Sequence, residues 1–383
     1  MCGRDGDPLV VAAAGILDRL RRVDLGVLLP VGLLLALGLA LIHSATDGGG
    51  AQVPRQLRWI AIGVLVAIPF TLYPYTRMLR FAPMFYLAGI VALIGLYFFG
   101  PTINHAKRWI IIGGQQVQPS ELMKLVTVLL LARTLRFGRV LDRTRKWIVP
   151  LSVGVVPAAL ILVQPDLGTA LLFAPLAFSV VLVSGIPLRS LGLLALIGAI
   201  LVGGGYEFVL RDYQKERIWT AYNYDRLTAS QRAGPAYQLN QSLTAISGGG
   251  LSGQGHGEGA LTQSGMLPLD YNDFVFAVLA EEHGFVGCCV VLLLFSVLIL
   301  AIFRVAWQTR DPAGRLICVG IGTLIGAQAL VHMAVTLGLA PTTGMTLPLV
   351  SYGGSSLLVT LAGLALVQNV AINRPRTPIV SMR

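Results

Sequence analysis

With 383 residues, 55% of them hydrophobic and only 12% charged, and a mean hydropathy of +0.74, the chain is too apolar for a water-soluble core and reads as a polytopic membrane protein. The net charge of +11, from 29 basic and 18 acidic residues, does not indicate a nucleic-acid binder, because the basic residues fall in short clusters between apolar runs, as they do on the cytoplasmic side of membrane proteins. Cys2, Cys288, Cys289 and Cys318 have no metal-ligand spacing and three lie in apolar runs, so neither a zinc site nor a disulfide framework is indicated.

Runs approaching the roughly 20 residues that cross a bilayer lie at 25–45, 57–74, 81–99, 119–137, 148–164, 167–186, 189–210, 274–303, 314–338 and 350–372. They predict an all-α protein of about ten transmembrane helices. Residues 1–24 form a short cytoplasmic lead without a cleavage site, so the first run is a retained span; 25–373 form a single membrane domain and 374–383 a cytoplasmic tail. An N-terminus inside the cell places the densest basic cluster, Arg133 to Lys146, in the cytoplasm. Seven crossings then precede Asp273, which faces outward, and the long loop 211–271 lies outside.

Along the outward segments, His43-Ser44-Ala45 ends the first span before a Gly48-Gly49-Gly50 turn, and Arg55 and Trp59 open the second as interface anchors. Segment 100–124 carries Lys107-Arg108-Trp109 and then Gln118-Pro119-Ser120-Glu121-Leu122-Met123-Lys124. Pro119 suits a first helical turn, where its missing N–H does no harm, and Glu121 and Lys124 at i,i+3 share one face of the fourth span. Such a pair either lowers the cost of two charges at the membrane edge or serves a function, and ionisable residues in a span favour function. A helix N-terminus with Lys124 and Arg108 nearby makes a seat for a pyrophosphate. In the next outward turn, Gln164-Pro165-Asp166-Leu167-Gly168-Thr169, Asp166 is placed to cap the sixth span.

The loop 211–271 is polar and contains Arg217, Tyr237-Gln238, Gln241-Ser242 and seven glycines between 248 and 259. A loop of this length is functional or disordered, and its glycines suit close approach to a ligand and a floppy linker equally. Leu267–Gly287 then places four carboxylates at the entrance of an apolar span. Asp273 stands at the helix start, where an N-cap is its ordinary role, while Ala277, Ala280 and Gly284 form a groove of small side chains on the face below it. The last outward loop, 340–356, brings hydroxyls and glycines, Ser351 among them, to the mouth of the tenth span, a composition that also serves tight helix packing.

Four of these strings are Arg108-Trp109-Ile110 with Gln118-Pro119-Ser120-Glu121-x-x-Lys124, Gln164 to Thr169, Pro268-x4-Asp273-Phe274-x-Phe276-Ala277-Val278-x-x-Glu281-Glu282-x-Gly284, and Pro348 to Ser356. Together they closely resemble the SEDS family (RodA, FtsW, SpoVE) over about 24–373, and Thr262-Gln263-Ser264 looks more like RodA than FtsW. Departures are Leu269, Tyr271 and Asn272, which replace the Glu, His and Thr usual before the aspartate, His332 in place of Asn, and Asn223–Pro235 in place of an Asp-Pro segment. The resemblance implies a peptidoglycan glycosyltransferase of the bacterial inner membrane. It would polymerise lipid II outside the membrane, for cell elongation and shape, beside a class B penicillin-binding protein. It also implies Asp273 as the catalytic residue and a substrate-binding set of Arg108, Glu121, Lys124, Asp166, Arg217, Gln241 and Ser351.

Replacing the α-linked pyrophosphate of lipid II by a β1→4 bond inverts the anomeric carbon. A direct displacement needs a base near the acceptor hydroxyl and positive charge on the leaving pyrophosphate. Asp273 is the expected base, with Arg108, Lys124 and Arg217 on phosphate and Glu121 orienting Lys124. A helix N-terminus weakens such a base. Desolvation by substrate would have to counter that, or a divalent cation (magnesium or manganese) would have to assist; no cofactor is otherwise implied. A lipid II flippase and a non-catalytic scaffold of the cell-wall machinery are the alternatives. Ionisable residues at outward span ends, not at the midplane, favour the enzyme. The topology makes a direct prediction: single cysteines introduced at Ser230 and at Asp142 will react with an impermeant reagent from opposite sides of the membrane, and reaction of both from one side would overturn the ten-span arrangement.

Overall fold

The computed structural model describes residues 22–46, 50–102, 107–137, 148–185, 212–234, 236–267 and 271–374. Its helices are α1 (Leu25–Ser44), α2 (Gln52–Leu72), α3 (Tyr75–Phe99), α4 (Pro119–Leu135), α5 (Ile148–Val163), α6 (Leu167–Val183), α7 (Asp212–Tyr222), α8 (Ala229–Ala233), α9 (Tyr237–Gly249), α10 (Ala260–Gln263), α11 (Val275–Gln308), α12 (Pro312–Thr336) and α13 (Gly354–Ile372). Nine of the expected spans coincide with helices. The span at 189–210, the lead before residue 22, loop residues 138–147 and the tail after 374 lie outside the described residues. Six helices, α1 to α3 and α11 to α13, are long and apolar enough to cross a membrane, while α4, α5 and α6 are shorter at 17, 16 and 17 residues. The chain is an all-α membrane protein.

Local chemistry fixes where the helices begin. Asp24, Asp166 and Asp311 accept hydrogen bonds from the first-turn N–H groups of Gly26 (3.0 Å), Thr169 (3.2 Å) and Gly314 (3.1 Å), and Pro119 and Pro312 open their helices without a wasted donor. At the centre stands α13, buried almost all round by α2, α4, α11 and α12. Gly63 of α2 leaves the room that Leu361 of α13 fills, which lets the two backbones approach closely. On the outer faces of α2 and α3, Leu65, Leu87 and Val91 are each about two-thirds exposed. Apolar surface of that extent belongs against lipid, not water.

At one end of the bundle Asp24 joins three helices. Its carboxylate caps α1, pairs with Arg304 of α11 (2.7 and 2.9 Å) and lies 3.5 Å from Arg374, while its backbone exchanges two 2.9 Å hydrogen bonds with Gln368 of α13. Asn369 takes the carbonyl oxygens of Phe70 (2.8 Å) and Tyr73 (2.6 Å), satisfying the end of α2.

Two features at the other end differ from the sequence expectation. Residues 110–117 form a small antiparallel hairpin, β1 (Ile110–Ile112) and β2 (Gln115–Val117), turned by Gly113-Gly114, a dipeptide that suits the left-handed turn two tight strands require. The glycine-rich segment after α9 is neither a linker nor an open cradle. A Cβ at Gly249 would collide with the carbonyl oxygen of Ala280, and one at Gly253 with that of Glu282, so these glycines press the loop onto the α11 backbone. There α11 is broken at Gly284 (φ 63°, ψ −162°), and the freed groups pair with the loop: Gln254 N–H to Glu281 O (2.9 Å), Gly255 N–H to Glu282 O (3.0 Å) and Phe285 N–H to Gly250 O (3.0 Å). The groove of small residues expected below Asp273 is thus filled by the chain itself. Glu281 accepts from Leu261 N–H (2.7 Å) and from the Thr262 N–H and hydroxyl (3.1 and 2.6 Å), while Glu282 holds the Ser44 hydroxyl and His256 Nδ1. Both carboxylates buckle the segment between α9 and α11 to the bundle.

Candidate functional site

Asp273 is the last turn residue before α11, and it does not cap that helix. The cap position is Phe274 and carries no side-chain hydrogen bond. The capping role that is the ordinary alternative for Asp273 is therefore absent, and no hydrogen bond to its carboxylate occurs among the described residues. Oδ2 faces Gly344 of the loop between α12 and α13, where an added Cβ would sit 3.5 Å away. Burial pushes the carboxyl up to about 6, against the opposing pull of the Arg108 and Arg217 guanidinium groups. The weakening expected from a helix N-terminus is outweighed by desolvation before any substrate arrives.

Those two arginines reach Asp273 from separate elements. Arg108 precedes β1 and is held 3.8 Å from Asp166, which also caps α6 and accepts a 2.6 Å hydrogen bond from Gln118, the residue before α4. This cross-link fixes the start of α4 to the start of α6. Arg108 keeps a buried Nε–H without a partner, a donor free for an anion. Arg217, on α7, is exposed and donates to the Thr342 carbonyl (3.2 Å), two residues before Gly344. Asp273, Arg108, Arg217 and Asp166 thus lie at one end of the bundle.

Glu121 and Lys124 form their i,i+3 pair at 2.9 Å, both buried. Lys124 also donates to Gln328 Oε1 of α12 at 3.0 Å, a partner that sequence spacing does not disclose. Gln328 in turn donates to the Thr346 carbonyl (2.9 Å), and His332, one turn further on the same face of α12, bonds the adjacent Met345 carbonyl through Nδ1 (2.8 Å). Two side chains of α12 therefore hook consecutive carbonyls of the loop that covers Asp273, and the ion pair anchors one hook. Two of the three Lys124 N–H groups are committed there. The only sequence cue to Gln328 and His332 was their polarity inside an apolar span, which is a functional signal in itself.

Ser351 is buried and its hydroxyl accepts the Leu347 N–H (2.8 Å), fixing the turn before α13. The same turn is tied to the residues ahead of Asp273 by Tyr352 N–H to Tyr271 O (2.9 Å) and by edge-on packing of the two rings. Gln241 lies half-buried on α9, and no described contact joins it to Asp273. A divalent cation fits poorly beside Asp273: two guanidinium groups act on the carboxylate, and no group of three or more His, Cys, Asp or Glu side chains able to hold a metal occurs among the described residues.

Comparison with known proteins bears on what such a site does. The profile of the FtsW, RodA and SpoVE family, described as cell cycle protein, matches residues 21–376. The chain is similar to the peptidoglycan glycosyltransferase MrdB of Escherichia coli (strain K12), 31% identical over 341 residues that cover 89% of this chain and 91% of that protein. It is also similar to the probable peptidoglycan glycosyltransferase FtsW of Bacillus subtilis (strain 168), 31% identical over 381 residues, with 92% and 91% covered. Among solved structures, the rod shape determining protein RodA of Thermus thermophilus superposes with a TM-score of 0.69 at 30% identity, over 93% of this chain and 98% of that one. A chain from a peptidoglycan synthase complex that coordinates polymerization and crosslinking gives 0.78 at 33% identity, over 91% and 97%.

The buried pair yields a stability prediction. Lys124→Met leaves the Glu121 carboxylate buried and unpaired and will destabilise the protein by about 3–5 kcal/mol, whereas Glu121→Gln combined with Lys124→Met will cost clearly less. Thermal unfolding of the detergent-purified variants checks this, and equal losses for single and double variants would contradict the coupling.

Proposed function

Since the chain belongs to the FtsW, RodA and SpoVE family and is a peptidoglycan glycosyltransferase, we propose that it polymerises lipid II with Asp273 as base. The acceptor 4-hydroxyl attacks the anomeric carbon of the donor sugar, its proton passes to the Asp273 carboxylate, and the bond to the undecaprenyl pyrophosphate breaks with inversion. Arg108 and Arg217 receive the negative charge that develops on the departing pyrophosphate, and Asp166 holds Arg108 in place. Glu121 and Lys124 steady the covering loop through Gln328, and Ser351 fixes the turn before α13 that the loop leads into. The protein works in the bacterial inner membrane with this face outside and a class B penicillin-binding protein beside it, for which the resemblance to a synthase-complex chain is the support.

One observation carries the reading: a partly buried carboxylate with no hydrogen-bond partner among the described residues, on which the charges of Arg108 and Arg217 act. A flippase site would lie near the bilayer midplane, whereas the cluster of Asp273, Arg108, Arg217 and Asp166 lies at one end of the bundle. A scaffold gives Asp273 no task. In polymerisation of labelled lipid II by the purified protein with its transpeptidase partner, Asp273→Asn will lower chain growth by about 10²–10⁴-fold, the usual contribution of a general base, with normal yield and partner binding. Wild-type chain growth by that variant would remove Asp273 from the mechanism.

A further inference from the structure

At the end of the bundle opposite Asp273 is a cavity of about 370 Å³ between the start of α3 and the end of α4, lined by Thr76, Arg77, Leu79, Arg80, Arg133 and Arg136. Its position follows from α4, whose 17 residues carry the chain roughly 25 Å away from Gln118 and the Asp273 side. We propose that this cavity is a headgroup site for an anionic phospholipid.

Four guanidinium groups converge on it, and among the described residues none of the four is in an ion pair. Like charges gathered this closely repel one another unless an anion lies between them. Arg133 is occupied in joining the helices, donating to the carbonyl oxygens of Leu79 (3.0 Å) and Arg80. Arg136 lies over the Phe137 ring (4.4 Å to its centre) and keeps a buried Nε–H without a partner among the described residues. Arg77 and Arg80 are exposed at the rim. Planar forks of this kind match phosphate oxygens bidentately, and the Thr76 hydroxyl adds a further donor.

A phosphodiester headgroup and a soluble phosphate share this chemistry, but the surroundings favour the lipid. Phe81 and Met84 follow Arg77 and Arg80 at i+4 on α3, and with Phe85 they are 43%, 57% and 48% exposed. An apolar, lipid-facing strip therefore runs from the cavity mouth along the helix, where acyl chains would lie. Basic pockets between transmembrane helices at the membrane surface have the chemistry of such headgroup sites. The inference draws on neither Asp273 nor the transfer reaction.

Native mass spectrometry of the intact detergent-purified protein, titrated separately with dioleoyl-phosphatidylglycerol, tetraoleoyl-cardiolipin and dioleoyl-phosphatidylcholine, tests it. Wild type will retain one anionic lipid saturably and phosphatidylcholine far less. Arg77→Gln combined with Arg80→Gln, and separately Arg136→Gln, will weaken that binding by about tenfold or more. Arg310→Gln, at the same end of the bundle but outside the cavity, will leave it unchanged. Equal retention by all variants, or of phosphatidylcholine, would overturn the site. Inorganic pyrophosphate that binds the lipid-free protein saturably and fully displaces the lipid would make it a soluble-anion site and overturn the lipid assignment.

Discussion

A carboxylate at the edge of a bilayer must be hydrated, matched or used, and the architecture of this protein follows from how each one is handled. Asp24 binds three helices together through Arg304, Gln368 and its own capping bond. Glu121 is matched by Lys124, Asp166 by Gln118 and Arg108, Glu281 by the Thr262 backbone and hydroxyl, and Glu282 by Ser44 and His256. Asp273 is the exception. It lacks a hydrogen bond among the described residues, and burial holds its proton more tightly than water would. Matched carboxylates thus surround one that has no such partner among the described residues.

That frame has a consequence for mechanism. The loop over Asp273 is held by Gln328 and His332 from α12, by Arg217 from α7 and by the Tyr352–Tyr271 contact, so three separate parts of the chain fix the surroundings of one carboxylate. On the proposed mechanism, preorganisation of this kind would let the two arginines act on developing negative charge without first having to move. It also accounts for the buried Glu121–Lys124 pair, whose reach to the site runs through Gln328 and not through direct contact with Asp273.

Much of this is legible in the residues. Apolar run length gave nine helices close to their observed bounds, and the i,i+3 spacing of Glu121 and Lys124 and the capping geometry of Asp166 are local properties that a helix imposes. What sequence reasoning could not supply is tertiary. Gln328 meets Lys124 across 204 residues, and Gly249 and Gly253 owe their identity to the α11 backbone they press against, not to a ligand. For Asp273 the sequence left a cap as the ordinary alternative to a base, because an aspartate at a helix start usually caps, and only the structure gives that position to Phe274.

The central claim, that the desolvated Asp273 carboxylate takes the acceptor proton, is tested most directly by the pH dependence of kcat/KM for lipid II polymerisation. This quantity reports the free enzyme's base. Because the base must be ionised and burial raises its pKa, activity will fall as pH drops through about 6, and Arg217→Gln, which removes one opposing charge, will move that acid limb to higher pH. An acid limb at roughly 4, the range of an ordinary aspartate, or one that Arg217→Gln leaves in place, would contradict the account.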